Sequence, residues 1–215
     1  MMRGYWARRA ILALAIFLYG TVHSLASPWA EVGDNQLRGD IELLAAAGVI
    51  DGITTHWPLP WQSIVKDLRD NPLAGQPASV RAAAARTSCQ NNMHQIGLAF
   101  QMYTDTNKDL FPVAPSLPSF ANPPGQPSLA DLLLPFAGND RKIFRCPMDT
   151  TRYPVEGLSY EYTPRVSGKT LAELRNNKAG YSITEIWITF DFDPIHNVAG
   201  TDNSRVYLYA DGHAQ

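Results

Sequence analysis

Apolar positions recur along this chain with two periods. In the stretch after Asp34, Leu37, Ile41, Leu43, Leu44 and Ala47 follow a helical spacing, with Asp34 placed to cap the helix and Gly48 to end it. Ile64, Val65 and Leu68 give a second amphipathic helix just after Trp61. Between the two, Trp57-Pro58-Leu59-Pro60-Trp61 cannot be helical throughout, because each proline disfavours helix at the residue before it. It predicts a stiff elbow carrying two tryptophans. A third and longer helix is predicted from Ala78 to Tyr103, ending near Asn107. Its apolar stripe is Val80, Ala84, Thr87, Met93, Ile96, Phe100 and Tyr103, and its polar face carries Arg81, Arg86, Gln90, Asn91 and Gln95.

Beyond that helix the period changes. Phe111 to Pro127 contains six prolines and predicts an irregular surface loop. Leu129 to Phe136 is a short helix or turn ending at Pro135, and Ile143 to Pro147 is short and extended. Tyr160–Thr163 and Ile183–Phe192 predict strands. Arg205 to Ala210 alternates, with Val206, Leu208 and Ala210 on one face and Tyr207 and Tyr209 on the other, before an Asp211-Gly212 hairpin turn. The pattern predicts an α+β fold: a long helix packed on a small antiparallel sheet, preceded by a short helical segment.

Asn71 to Pro77, with two prolines and a glycine, is the best boundary in the chain. Ahead of it, Arg3, Arg8 and Arg9 precede an apolar run from Ala10 to Tyr19 and a polar stretch ending in Ser24-Leu25-Ala26. That is the layout of a cleavable signal peptide, its apolar run being about half the 20 or so residues needed to span a bilayer. The expected division is 1–26 signal peptide, 27–77 helical segment with the Pro-Trp elbow, and 78–215 globular domain. Cleavage near Ala26 implies a periplasmic or secreted protein; an uncleaved anchor is the competing reading.

Composition narrows the functional class. An apolar fraction of 45% supports a real core, and the net charge of −2 comes without the basic stripe of a nucleic-acid binder. Two cysteines, Cys89 and Cys146, enclose 56 residues. In an oxidising compartment a disulfide there contributes on the order of 2 to 4 kcal/mol; two buried free thiols are the alternative. Their spacing is not that of a zinc motif. Asp191, Asp193, Asp202 and Asp211, with His196, are the residues that could hold calcium, although the same aspartates also suit solvated turns. No HExxH, GxSxG, P-loop or GxGxxG pattern occurs, which argues against an enzyme. Trp57 and Trp61 carry two readings, a partner or membrane-interface contact and a core anchor.

Two stretches resemble known families. Gly33-Asp34, Leu37-Arg38, Asp40-Ile41-Glu42-Leu43-Leu44 and Thr55-His56-Trp57-Pro58-Leu59-Pro60-Trp61 resemble the leading segment of Wzi-type capsule assembly proteins. The large outer-membrane barrel that follows in that family is not expected here, because it needs far more chain. From about Arg86 onward, Cys89-Gln90-Asn91-Asn92-Met93-His94-Gln95-Ile96-Gly97-Leu98-Ala99, Phe111-Pro112, Leu134-Pro135, Phe144-Arg145-Cys146-Pro147, and His196 with Asp211-Gly212 resemble bacterial pseudopilins of the His-x9-Asp-Gly branch. Fourteen residues separate His196 from Asp211 instead of nine. The family's apolar N-terminal helix, which builds the fibre core, is replaced by the capsule-protein-like stretch.

The resemblance implies a non-catalytic cell-envelope protein related to type II secretion or type IV pilus-like assemblies, with pilin-like or secretion components as partners. It also implies calcium in a C-terminal loop, as some pseudopilins hold. The alternative is a periplasmic or outer-membrane accessory of capsule polysaccharide assembly, with possible outer-membrane association.

Overall fold

The computed structural model describes residues 29–30, 33–51, 57–71, 73–196, 200 and 204–215. The expected signal peptide, its cleavage point near Ala26 and Asp202 lie outside the described residues.

Helix α1 (Asn35–Ala46) starts where the sequence predicts, with the Asp34 side chain accepting from the Leu37 N–H at 2.8 Å. Gly48 follows it at φ +69°, the left-handed conformation that ends a helix at little cost. Helix α2 (Trp61–Asp70) begins directly after Pro60. Its start is tied back to the beginning of the segment by a bridge between Trp29 and Pro60. Helix α3 (Ala78–Thr106) is the long predicted helix, 29 residues and therefore about 44 Å at 1.5 Å rise per residue.

The sheet has three antiparallel strands in the order β1 (Tyr160–Tyr162), β2 (Trp187–Asp191), β3 (Tyr207–Tyr209). The predicted second strand is shorter than its sequence pattern, since 183–185 form a turn. A register shift between Trp187 and Thr189 puts Ile188 and Thr189 both in the interior, which accounts for the imperfect alternation of that strand. After the Asp211-Gly212 turn the chain doubles back: Tyr207 and Gln215 exchange backbone hydrogen bonds of 2.7 and 2.9 Å, and Leu208 bridges Ala214.

Two hydrophobic clusters meet on α3. Toward its C-terminal end, Met93, Ile96 and Phe100 pack with Phe111, Phe144, Tyr160, Tyr162 and Leu208 against the sheet. Toward its N-terminal end, Val80, Ala83 and Ala84 join Leu37, Ile41, Leu44, Trp61 and Ile64. The leading segment and the globular domain therefore share one helix as a common wall.

Several local expectations change. Gln90 and Asn91, read as the solvent face of α3, are buried; Gln90 donates to Asp34, the N-cap of α1, at 2.8 Å. The stretch expected to be extended before Cys146 is instead a 3-10 turn, Arg141–Phe144, capped by Asp140. The proline-rich loop does not run wholly over the surface, because Phe111, Ala114 and Leu117 plug into the core. Helix α4 (Leu129–Leu133) carries a capping box from Ser128 and Asp131 and continues into a 3-10 turn at Leu134–Phe136. Two short helices, α5 (Tyr153–Glu156) and α6 (Leu171–Arg175), have no apolar repeat long enough to announce them.

Candidate functional site

Among the described residues, reactive side chains gather in a buried junction of α3, the loop after Phe144, and the end of β2. Cys89 lies midway along α3 on its interior face. Cys146 follows the 3-10 turn, and its backbone N–H donates to the Ser159 hydroxyl at 3.0 Å. The two form a disulfide with Cα atoms 5.4 Å apart. It pins the middle of the long helix to the loop that feeds β1.

Asp191 and His196 stand beside this disulfide. Asp191 ends β2; its Oδ2 accepts from the Val206 N–H at 2.8 Å, so the carboxylate is held by β3's approach. His196 Nε2 lies 3.1 Å from that Oδ2 and 3.5 Å from the Cys146 sulfur. Both side chains are wholly shielded from solvent. Among the described residues, Asp191 Oδ1 and His196 Nδ1 have no hydrogen-bond partner. A buried carboxylate oxygen and a buried ring nitrogen without partners are energetically unfavourable, which marks the junction as more than packing. Tyr160 is close by, its hydroxyl accepting from Asn92 at 3.3 Å. Burial, reinforced by the negative charge of Asp191, drives its pKa well above the ordinary tyrosine value.

The loop leaving Cys146 is held by Asp149, whose carboxylate accepts from the N–H groups of Thr151, Arg152 and Tyr153 at 2.8 to 2.9 Å. Burial pushes this carboxyl upward, but hydrogen bonds from Ser159 and those three amides outweigh it and leave the pKa below the usual range.

Among the described residues, the aspartates expected to hold calcium, Asp191, Asp193 and Asp211, do not gather into one group. Asp191 is committed to the buried junction. Asp193 pairs with Arg152 at 3.2 Å, and Asp211 with His213 at 2.6 Å. Asp202 lies outside the described residues. The His196 and Asp211-Gly212 pattern likewise splits into two roles: His196 serves the junction, while Asp211 organises the final turn, with Gly212 at φ +92°. Of the two readings of the tryptophans, partner contact and core anchor, Trp61 takes the second, buried against His94, and Trp57 is partly buried with Arg38 4.9 Å over its ring. Both tryptophans pack into the leading segment's cluster, Trp61 against His94 of α3 and Trp57 beneath Arg38 of α1.

Sequence reasoning paired Cys89 with Cys146 and grouped Asp191 with His196, but it did not bring the two pairs together. They come from three distant stretches, so no local spacing reports their meeting; the signal available was two cysteines and a histidine outside any recognised metal motif.

A second feature lies on the outer face of the sheet. Trp187, Phe190, Tyr207, Tyr209 and His213 form a continuous aromatic row, with ring centroids 4.2 to 6.3 Å apart. An open cleft of about 470 Å³ beside it is lined in part by Arg165, Lys169, Tyr181 and Trp187.

Residues 78–140 match the profile of a family, SBP_bac_10, described as a protein of unknown function (DUF1559). The match covers α3, the proline-rich loop and α4, under a third of the chain. It includes Cys89 and stops short of Cys146, Asp191 and His196. No curated protein and no solved structure gives a significant match.

Proposed function

We propose that the chain is an exported, non-catalytic cell-envelope protein whose domain from Ala78 onward is pseudopilin-like and works through protein contacts in a type II secretion or pilus-like assembly. The observation that carries this reading is the 29-residue helix laid on a small antiparallel sheet, the arrangement that the resemblance to pseudopilins implies. The Cys89–Cys146 disulfide supports it, because such a bond persists in an oxidising compartment. The aromatic row on the outer sheet face is the contact surface in this reading, aromatic side chains giving large contact area at small entropic cost. A role carried by the leading segment alone, as in capsule assembly, is not adopted, because both of its helices and Trp61 are engaged in the cluster they share with α3.

The test is expression of the full chain in a Gram-negative host that assembles a type II secretion system, with a photo-crosslinking residue at Trp187 or Tyr207. The expected result is an intact mass lacking residues 1–26 in the envelope fraction, with crosslinks to proteins that carry a prepilin leader. A full-length mass confined to the cytoplasm, or crosslinks from Val155 on a different face equal to those from Trp187, would overturn it.

A further inference from the structure

We propose that Cys89, Cys146, Asp191 and His196 form a tetrahedral site for a zinc-like divalent cation when the two cysteines are reduced, so that metal and disulfide are alternative closures of one buried junction. One ligand atom from each of the four residues lies within 4.8 Å of the others, and all four residues are buried. Four donors at the usual Zn–S, Zn–N and Zn–O lengths sit about 3.3 to 3.8 Å apart along tetrahedral edges. The His196 Nε2 to Cys146 Sγ distance of 3.5 Å and the His196 Nε2 to Asp191 Oδ2 distance of 3.1 Å already approach that geometry. The widest separation has to contract by about 1 Å.

The donor set is itself selective. Two thiolates, an imidazole and a carboxylate suit zinc and disfavour the all-oxygen preferences of calcium and magnesium. Independent support comes from the partnerless Asp191 Oδ1, since the wholly shielded carboxylate holds more acceptor capacity than its own hydrogen bonds use. A bound cation offsets the unfavourable burial of that carboxylate. The supports are rigid: Cys89 is on a long helix, Cys146 is held through Ser159, Asp191 is fixed by the Val206 amide, and Arg86 donates to the His196 carbonyl at 3.3 Å.

The interconversion balances. An external dithiol transfers two electrons to the Cys89–Cys146 bond, becoming a disulfide itself while its two protons pass to the two cysteine sulfurs. Binding of the divalent cation then releases those two thiol protons to solvent, and His196 binds through the Nε2 lone pair with its proton on Nδ1. Oxidation of the two thiolates, by an external disulfide taking up two electrons and two protons, expels the cation and restores the S–S bond.

The test uses the full chain reduced with a phosphine, which supplies no thiols of its own, and titrated anaerobically with Co2+ and then Zn2+. Expected are one equivalent of Co2+ with tetrahedral visible bands and thiolate-to-metal charge transfer, displacement by one equivalent of Zn2+, and no such bands in the oxidised protein. His196→Gln and Asp191→Asn each weaken Co2+ binding at least tenfold, whereas His196→Cys retains binding with stronger charge transfer. If the reduced chain loses its fold without metal, Zn2+ is expected to restore its circular dichroism. Reduced protein that stays folded but shows no tetrahedral bands, that fails to refold with Zn2+, or that binds Co2+ equally well without Asp191 and His196, would refute the proposal.

Discussion

At the scale of single residues, buried polar contacts connect the two clusters. The Asp40 carboxylate takes two hydrogen bonds from Arg86, at 2.6 and 2.8 Å, with little exposure on either side. The hydrogen bonds to Asp40 raise the Arg86 pKa further despite its partial burial. Removing one member of a buried pair leaves the other charge uncompensated, so Asp40→Ala is expected to cost about 3 kcal/mol in urea unfolding. The double change Asp40→Leu with Arg86→Met is expected to recover most of that loss.

His94 is a second residue whose surroundings set its chemistry. Burial beside Trp61 depresses its pKa to about 4. The folded pKa lies below the unfolded value near 6.5, so below that pH the unfolded chain takes up a proton that the folded chain refuses. The stability contributed by this neutral histidine is present above pH 6.5 and is lost as the pH falls toward 4. Allowing for partial solvent screening, the loss is on the order of 2 kcal/mol. His94→Gln removes the titration. Denaturation midpoints from pH 7 to pH 4 should therefore fall less steeply in the variant than in the parent protein.

At the scale of elements, α3 shows how a helix with a weak overall apolar stripe can still be fully specified. Its two ends face different partners, so the interior face is continuous only when both partners are considered. Phe100 is fully buried between Phe111 and Tyr162, with centroids at 5.8 and 5.9 Å, while Met102 two residues later is half exposed. Phe100→Ala is expected to cost about 3 to 5 kcal/mol and Met102→Ala under about 0.5 kcal/mol, measured as shifts in denaturant midpoint at constant m.

The periodicity of Met93, Ile96 and Phe100 made this face legible in the sequence, as Asp34 and Gly48 did for the ends of α1. The burial of Gln90 was not legible, because a glutamine at an interior position is read as polar until its partner, Asp34, arrives from 56 residues away. The strands were legible through Val206, Leu208 and Ala210, whereas the bulge at Ile188 hid the phase of β2. The Cys89–Cys146 disulfide was legible from the two cysteines and the expected oxidising compartment, whereas the approach of Asp191 and His196 to it was hidden for the same reason as Gln90, since these residues come from distant stretches of the chain.

At the scale of the molecule, the leading segment and the globular domain meet across the N-terminal half of α3 and are stitched by Asp34–Gln90 and Asp40–Arg86. Deleting residues 27–77 exposes Val80, Ala83 and Ala84 and leaves Arg86 without its carboxylate. Hydrogen exchange in the truncated chain is expected to quicken over 78–90 and to stay protected over 93–104, where the sheet still covers the helix. Equal loss of protection along the whole of α3 would show instead that the segment is required for the fold itself.

The Cys89–Cys146 bond also decides what a protease would leave behind. The proline-rich stretch between them includes Phe120, 63% exposed at its crest, next to small and polar residues suited to cleavage. A single cut near Phe120 divides the backbone into two pieces that remain one molecule, since each piece keeps one of the paired sulfurs. Limited chymotrypsin digestion should therefore give a nicked protein that migrates as an intact chain on a non-reducing gel and falls into two fragments only after reduction. A chain so linked tolerates a broken backbone without shedding half of itself.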